Sequence, residues 1–282
     1  MGDRVATARA GTATTLGVVI SIEARGRLGN QMFQFAFGLA ASTRLRTDFA
    51  MNDELLRPAF QLGGWRSPSR RIRRSIRFHL AKRFSPAPVV KIAHDEDPRD
   101  SLARLADGVH YAGFFQSAGY FEDVEPLVRA AFEPRRRHVD RFRDRYADLA
   151  RSPYVCCHVR RTDYVEAGWA LPISFYEECI SLARVSEETP VVFVGDDLEE
   201  ARRAFGGRAG FRFERNDEMV DLQLLVNASA VVTSNSSFGW WGSWLGDPAR
   251  PVYAPKHWLG FPAGVDAPHS VIPPGWNAVT VR

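Results

Sequence analysis

From residue 154 to residue 254, short apolar runs alternate with longer stretches of helical composition, and this alternation constrains the fold more than any other feature. Strands are read at 154–159, 191–194, 211–213, 230–233 and 251–254. Helices are read between them at 174–184, 198–205, 218–227 and 238–245, the first with Ser174 as N-cap and Glu177 three residues on, a capping-box pattern. Regular strand–helix alternation predicts a parallel, doubly wound α/β sheet. Ligands of such sheets sit beyond the carboxyl ends of the strands, so the strand-end loops are the places to look for chemistry.

Three of those loops carry it. Residues 158–163 place His158, Arg160, Arg161 and Asp163 just where a buried strand runs out. Guanidiniums are costly to bury unless something anionic meets them. Their planar forks suit phosphate oxygens. One reading is a diphosphate held at this strand end; the other is a structural cluster in which Asp163 neutralises an arginine. Residues 234–237 (Ser234, Asn235, Ser236, Ser237) form a hydroxyl-rich turn into a helix, where free N–H groups and the helix dipole favour phosphate. The bland reading there is N-capping by Ser236 or Ser237. Asp196 and Asp197 follow the 191–194 strand with no carboxylate or histidine cluster at ligand spacing, so a base or ribose contact suits them better than a metal.

The first half opens with a strand at 16–22, then Arg25-Gly26-Arg27-Leu28-Gly29-Asn30-Gln31 and a buried helix over 30–44. The glycine spacing is not G-x-G-x-x-G, which rejects a dinucleotide fingerprint. Asn30 and Gln31 either cap the helix or meet a ligand. A further strand is read at 109–116, a helix at 124–131, and a charged connector at 133–152. The domain boundary is placed near 150. This gives a first domain of 1–150, with 1–15 expected to be disordered, and a second of 151–282.

The net charge of +4 is unevenly spread: residues 66–83 hold eight basic and no acidic residues, leaving −4 on the remainder. A general nucleic-acid binder is excluded. Apolar residues recur there at Ile72, Ile76, Leu80 and Phe84, so the segment reads as a helix with a cationic face. That face is either solvated or turned toward acidic lipid headgroups in peripheral membrane contact. The three cysteines form no even framework and read as core residues of a reducing compartment. No run approaches the ~18–20 apolar residues of a membrane span, and 16–22 is short for a signal segment. The expectation is a cytoplasmic protein, peripheral at most to the inner membrane face.

Four segments, in order, resemble the α-1,2-fucosyltransferases of glycosyltransferase family 11. They are Gly26-Arg27-Leu28-Gly29-Asn30-Gln31-Met32-Phe33-Gln34, Gly113-Phe114-Phe115-Gln116-Ser117 with Tyr120-Phe121, His158-Val159-Arg160-Arg161-Thr162-Asp163-Tyr164, and Ser234-Asn235-Ser236-Ser237-Phe238-Gly239-Trp240-Trp241. The position of Thr162 is usually glycine in such motifs. The resemblance implies a GT-B architecture of two facing Rossmann-like domains with parallel sheets, acceptor against the first and donor nucleotide in the second. It implies inverting transfer of L-fucose from GDP-β-L-fucose to a glycan hydroxyl, the 2-hydroxyl of a terminal galactose first among them, with no cofactor and no obligatory metal. Other GDP-sugar or protein O-fucosyl transfer, and a catalytically silent nucleotide-sugar or glycan-binding protein, are the competing readings.

The same resemblance implies roles for particular residues. Arg160 would grip the β-phosphate, with Arg161 sharing the charge or holding the loop, and Asp196 would read guanine or ribose beside Asp197. Ser236 and Ser237 would donate to phosphate within the turn made by Ser234, Asn235 and Phe238. Arg27, Gly29 and Asn30 would close over pyrophosphate and fucose. Asp163 is the candidate base, unless it only braces an arginine; His158 is read as a residue positioning the loop. Trp240, Trp241 and Trp244 are read as core.

Overall fold

Two parallel sheets emerge from the alternation. The computed structural model of the chain describes residues 19–63 and 87–282. The expected cationic helix at 66–83 and the segment 1–15 lie outside them. The first sheet holds β1 (Ile20–Ile22), β2 (Phe49–Ala50), β3 (Val89–Lys91) and β4 (His110–Ala112), in the order β2-β1-β4-β3. The second holds β5 (Val155–Val159), β6 (Val191–Gly195), β7 (Phe211–Phe213), β8 (Ala230–Val232), β9 (Val252–Pro255) and β10 (Asn277–Val279), in the order β10-β9-β8-β5-β6-β7. Every pairing within both sheets is parallel.

β5 is central and fully buried, as its apolar run requires. Its neighbours lie on opposite sides: β6 continues the winding one way and β8 begins it the other way. Such a reversal of strand order is where doubly wound sheets open a crevice for ligands. Register then fixes which loops meet. His158 pairs with Val194 and Val159 with Gly195, while Cys157 pairs with Val232. Arg160 and Asp196, the next residues of their strands, therefore emerge side by side, with Ser234 one step behind them, level with Val159.

The two halves share one core. The helix Leu28–Leu45 is buried on nearly every side, as its composition of Met, Phe and Ala demands. It packs against β1 and also against the helix Ser237–Trp244 of the second half. Phe33 lies 4.6 Å from the Trp240 ring and 4.9 Å from Trp241, and the Trp241 Nε1 donates to the Gly29 carbonyl at 3.0 Å. Burying one such phenylalanine contributes about 1.5–3 kcal/mol. The tryptophans are core, as read from sequence, but the core they join spans both halves. The three cysteines are free and buried.

Several expectations are corrected. The helix at Ser174 runs Ile173–Ala183 with Pro172 as its N-cap, so Ser174 lies inside the first turn and donates instead to the Arg282 carbonyl at 3.1 Å. No capping box forms. The strand read at 109–116 ends at Ala112, because Phe115 takes a left-handed φ of 51° and bends the chain out of the sheet. That bend carries Gln116 toward the helix Leu28–Leu45. Strands β2, β3 and β10 were not foreseen. Nor was the helix Pro98–Ala103, whose N-cap Asp97 accepts from the Arg99 N–H at 2.8 Å.

Candidate active site

Two helix starts meet in the cleft. The helix Leu28–Leu45 has Arg27 at its N-cap, no side-chain cap and no acidic residue in its first turn. The helix Ser237–Trp244 has Ser236 at its N-cap, again with no side-chain cap and no acid. The capping reading of the serines and of Asn30 therefore fails. The Ser236 and Ser237 hydroxyls have no hydrogen-bond partner among the described residues. Asn30 Oδ1 accepts from Gln116 Nε2 at 2.8 Å.

The two starts are in contact. A Cβ on Gly29 would lie 2.6 Å from the Phe238 backbone nitrogen and 2.8 Å from Ser237 Oγ. Each helix start carries roughly half a positive charge, so bringing two together without a cap is unfavourable until an anion joins them. Gly29→Ala is expected to push the two helix starts apart, because the blocking atoms are backbone that cannot rotate away. Binding of GDP should fall at least tenfold, on the scale of a 1.4 kcal/mol loss. Isothermal titration checks this, and wild-type affinity in the variant would remove the helix contact from the site.

Above this floor stands the 160–164 loop. Arg160 Nη1 meets Asp196 Oδ2 at 2.5 Å, its Nη2 pairs with Asp163, and its guanidinium lies 5.2 Å over the Tyr164 ring. Asp196 does more than pair with Arg160. Its Oδ1 accepts from the Arg161 backbone N–H at 2.8 Å and its Oδ2 from Thr162 Oγ1 at 2.6 Å. Burial alone would raise the Asp196 pKa, but these donors and the Arg160 charge outweigh it and hold the carboxyl below its usual range. Both oxygens that the resemblance assigns to a base or ribose are thus already engaged in holding the arginine loop. Thr162 adds a hydroxyl to that clasp. Arg161 pairs with Glu200, and Asp197 Oδ1 accepts from the Glu199 N–H at 3.0 Å, shaping the turn into the following helix.

Beneath the loop lies His158. Its Nδ1 is 2.7 Å from Ser234 Oγ, and both residues are buried. Burial drives the His158 pKa down to about 4 against the pull of Asp196, so the ring is neutral at pH 7 and joins the ends of β5 and β8 as a positioning element. Ser234 is consequently spent inside the fold. Asn235 Nδ2 donates to the Trp169 carbonyl at 2.9 Å, and the Asn235 carbonyl accepts from Tyr164 at 3.3 Å. These two bonds tie the serine-rich turn to the loop after β5. Phe238 lies against the His158 ring at 5.6 Å.

From the first half, Arg27 is exposed and has no carboxylate partner among the described residues. Burial raises the Tyr164 pKa, while the charges of Arg160 and Arg27 pull it back, so Arg27 stands within electrostatic range of the opposite half. Gln34, fully buried, accepts from the Arg25 N–H and donates to the Gly113 carbonyl, both at 3.1 Å, which sets the shape of the loop carrying Arg27. Sequence reasoning missed Thr162, Tyr164, Gln34, Gln116 and Glu200 as working parts. Four of them lie within the motif segments quoted from the sequence, whereas nothing there marks Glu200. Among the described residues no group of three His, Cys, Asp or Glu is placed to hold a metal ion, and no helix is long and apolar enough to cross a membrane.

Comparison with known proteins bears on the family and the fold. The family model for glycosyl transferase family 11 matches residues 4–258. An alpha-1,2-colitosyltransferase of Escherichia coli is 27% identical over 250 residues, covering 78% of this chain and 85% of that protein. Among solved structures, the fucosyltransferase NodZ from Bradyrhizobium matches with a TM-score of 0.53 at 12% identity, over 82% of this chain and 93% of that one. Arabidopsis thaliana FUT1 in complex with GDP matches with a TM-score of 0.50 at 12% identity, over 85% and 70%. At those identities the structural likeness establishes the fold, which is of the GT-B type.

Proposed function

The chain belongs to glycosyl transferase family 11, and from that premise we propose that it transfers L-fucose from GDP-β-L-fucose, with inversion and without an obligatory metal, to a glycan hydroxyl. The 2-hydroxyl of a terminal galactose is the first acceptor in view. One observation carries the reading: two uncapped helix starts touch at Gly29 and Phe238, and Tyr164 of the Arg160 loop is bonded to the turn that opens the second of them, at the strand-order reversal. That is a receptacle for a dianionic leaving group. NodZ, whose fold this chain shares, has been crystallised with GDP and soaked with GDP-fucose, which supports a GDP-sugar as the ligand.

The reaction follows from the charges. The acceptor oxygen attacks C1 of the sugar as the bond from C1 to the β-phosphate oxygen breaks, its electron pair leaving with GDP. The hydroxyl proton passes to Asp163, whose carboxylate faces solvent beside Arg160. The sugar becomes oxocarbenium-like while negative charge builds on the phosphate. Preorganised donors aimed at that charge lower the barrier. Here they are the Arg160 guanidinium, the N–H groups of both helix starts and the Ser236 and Ser237 hydroxyls.

The donor sugar is the point on which the E. coli relative favours a second reading, since that protein is named for colitose. A series of GDP-linked L-fucose, colitose and mannose, offered with galactose-terminated acceptors in the presence of EDTA, tests both. Transfer of fucose with chelator present is expected. Preference for colitose would move the assignment to that donor. GDP binding without hydrolysis or transfer of any sugar would leave a silent binding protein.

A further inference from the structure

Within the arginine loop the carboxylates outnumber the guanidiniums. Arg160 and Arg161 face three carboxylates, those of Asp163, Asp196 and Glu200, so the cluster is net negative before any phosphate arrives. A phosphate that is to meet the Arg160 fork finds both terminal nitrogens taken, one by Asp163 and the other by Asp196. One carboxylate has to give way, and the structure distinguishes which.

Asp196 is fixed: its side chain is 18% exposed, and it is held by Arg160, by the Arg161 backbone and by Thr162. Releasing it would strand a half-buried charge and three donors, a costly change. Asp163 is 58% exposed, pairs with the other terminal nitrogen of Arg160, and has only the neighbouring Thr162 hydroxyl at 3.1 Å besides. Once turned to solvent its carboxylate is rehydrated at once, so little is lost on the Asp163 side of the pair. A phosphate offers the guanidinium the same kind of charge-assisted bond with more negative charge behind it.

We propose that Asp163 is a displaceable counter-ion, occupying on Arg160 the place that the β-phosphate of the donor takes, while Asp196 remains as the permanent anchor. This rests on the donor reading above and extends it: the ligand-free site holds its own substitute for the phosphate. Arg160 is thereby kept in position between turnovers, and arrival of the donor is what sets the Asp163 carboxylate free. Asp163 acts on donor binding through Arg160 and is in that respect a positioning residue.

The sign of one mutational effect separates this from a bracing role. Isothermal titration of the full chain with GDP, and separately with inorganic pyrophosphate, is compared for wild type, Asp163→Asn, Asp163→Ala and Asp196→Asn. Removing a competing carboxylate should tighten GDP and pyrophosphate binding in both Asp163 variants, by roughly two- to fivefold on the scale of an exposed pair. Removing the anchor should weaken both ligands in Asp196→Asn. A merely structural Asp163 would never tighten binding when lost. If wild type binds GDP and both Asp163 variants bind it equally or more weakly, the displacement is overturned and the donor reading stands. If wild type binds neither GDP nor pyrophosphate, both fall together.

Discussion

Arg160→Ala should lower kcat for transfer by roughly 10²–10³-fold, the scale set by losing one preorganised donor to a developing anion. Arg160 is the charge closest to the proposed leaving group that is itself locked in place, by Asp196 on one terminal nitrogen and by the Tyr164 ring beneath. Because the β-phosphate gains charge as the bond breaks, the loss should appear in kcat more than in KM for the donor. Arg160→Lys should recover little, since an ammonium cannot span Asp196 and phosphate at once. The substitution also has a pH signature. The Asp196 carboxyl sits below its usual range in part because of the Arg160 charge. A depressed folded pKa contributes stability present above the unfolded value, near 4, and lost as pH falls through the folded value. Without Arg160 that contribution shrinks, so acid unfolding should begin at higher pH in Arg160→Ala. Steady-state kinetics and an acid titration followed by circular dichroism check the two parts. Near-full turnover in the alanine variant would take Arg160 out of the mechanism.

What was legible beforehand followed physical length scale. β5 and β6, five residues each and buried except at Gly195, in long alternation with helices, announce themselves by composition, and the helix Glu218–Asn227 has the bounds read from its pattern. β2 has two residues, and β3 and β10 have three that are mostly exposed, so neither length nor apolar content marks them, and their pairing partners supply the order that their own sequences lack. The site was legible as residue types but not as partnerships. Arg160, Asp163 and Ser236 are conspicuous in one dimension, whereas the Asp196 clasp depends on the Val159–Gly195 register between two strands. The register of β5 with β8 separates expectation from finding for Ser234, whose hydroxyl turns inward because His158 lies on the adjoining strand. Gly29 is visible in the sequence only as a glycine near a helix start. Its reason is more than two hundred residues away, at the Phe238 backbone.

Arg250→Met should lower the stability of the fold by about 3–5 kcal/mol, the cost of removing one side of a buried charged network, while leaving activity per folded molecule near wild type. Nothing in the sequence marks this residue, yet it is buried and pairs with no carboxylate among the described residues. Its Nη1 donates to the carbonyls of Leu225, Val226 and Ala228 at 2.7–2.8 Å, and its Nη2 to Gly242 at 2.8 Å and Ser243 at 3.0 Å. Those carbonyls belong to the ends of the helices Glu218–Asn227 and Ser237–Trp244 and the turn after the first. Helix ends of that kind carry partial negative charge, so one guanidinium serves as the counter-charge of both. Burial lowers its pKa to about 10, which still leaves it protonated at neutral pH. Gly246 lies directly against it: a Cβ there would come 2.2 Å from the guanidinium carbon. Methionine fills much of the volume but orphans five acceptors, each costing about 1–3 kcal/mol if left dry. Lysine restores the charge without the fork and should recover only part of the loss. The helix Ser237–Trp244 is held by Arg250 at one end and offers uncapped N–H groups to the cleft at the other, so its anchoring and its chemistry are separable by this variant. Urea denaturation monitored by tryptophan fluorescence, with Trp240, Trp241 and Trp244 on that helix as reporters, measures the first; transfer assays below the unfolding midpoint measure the second. A variant with wild-type stability would show that the two helix ends are compensated without Arg250, and one that is stable but inactive would show that the helix end opposite the cleft controls the chemistry directly.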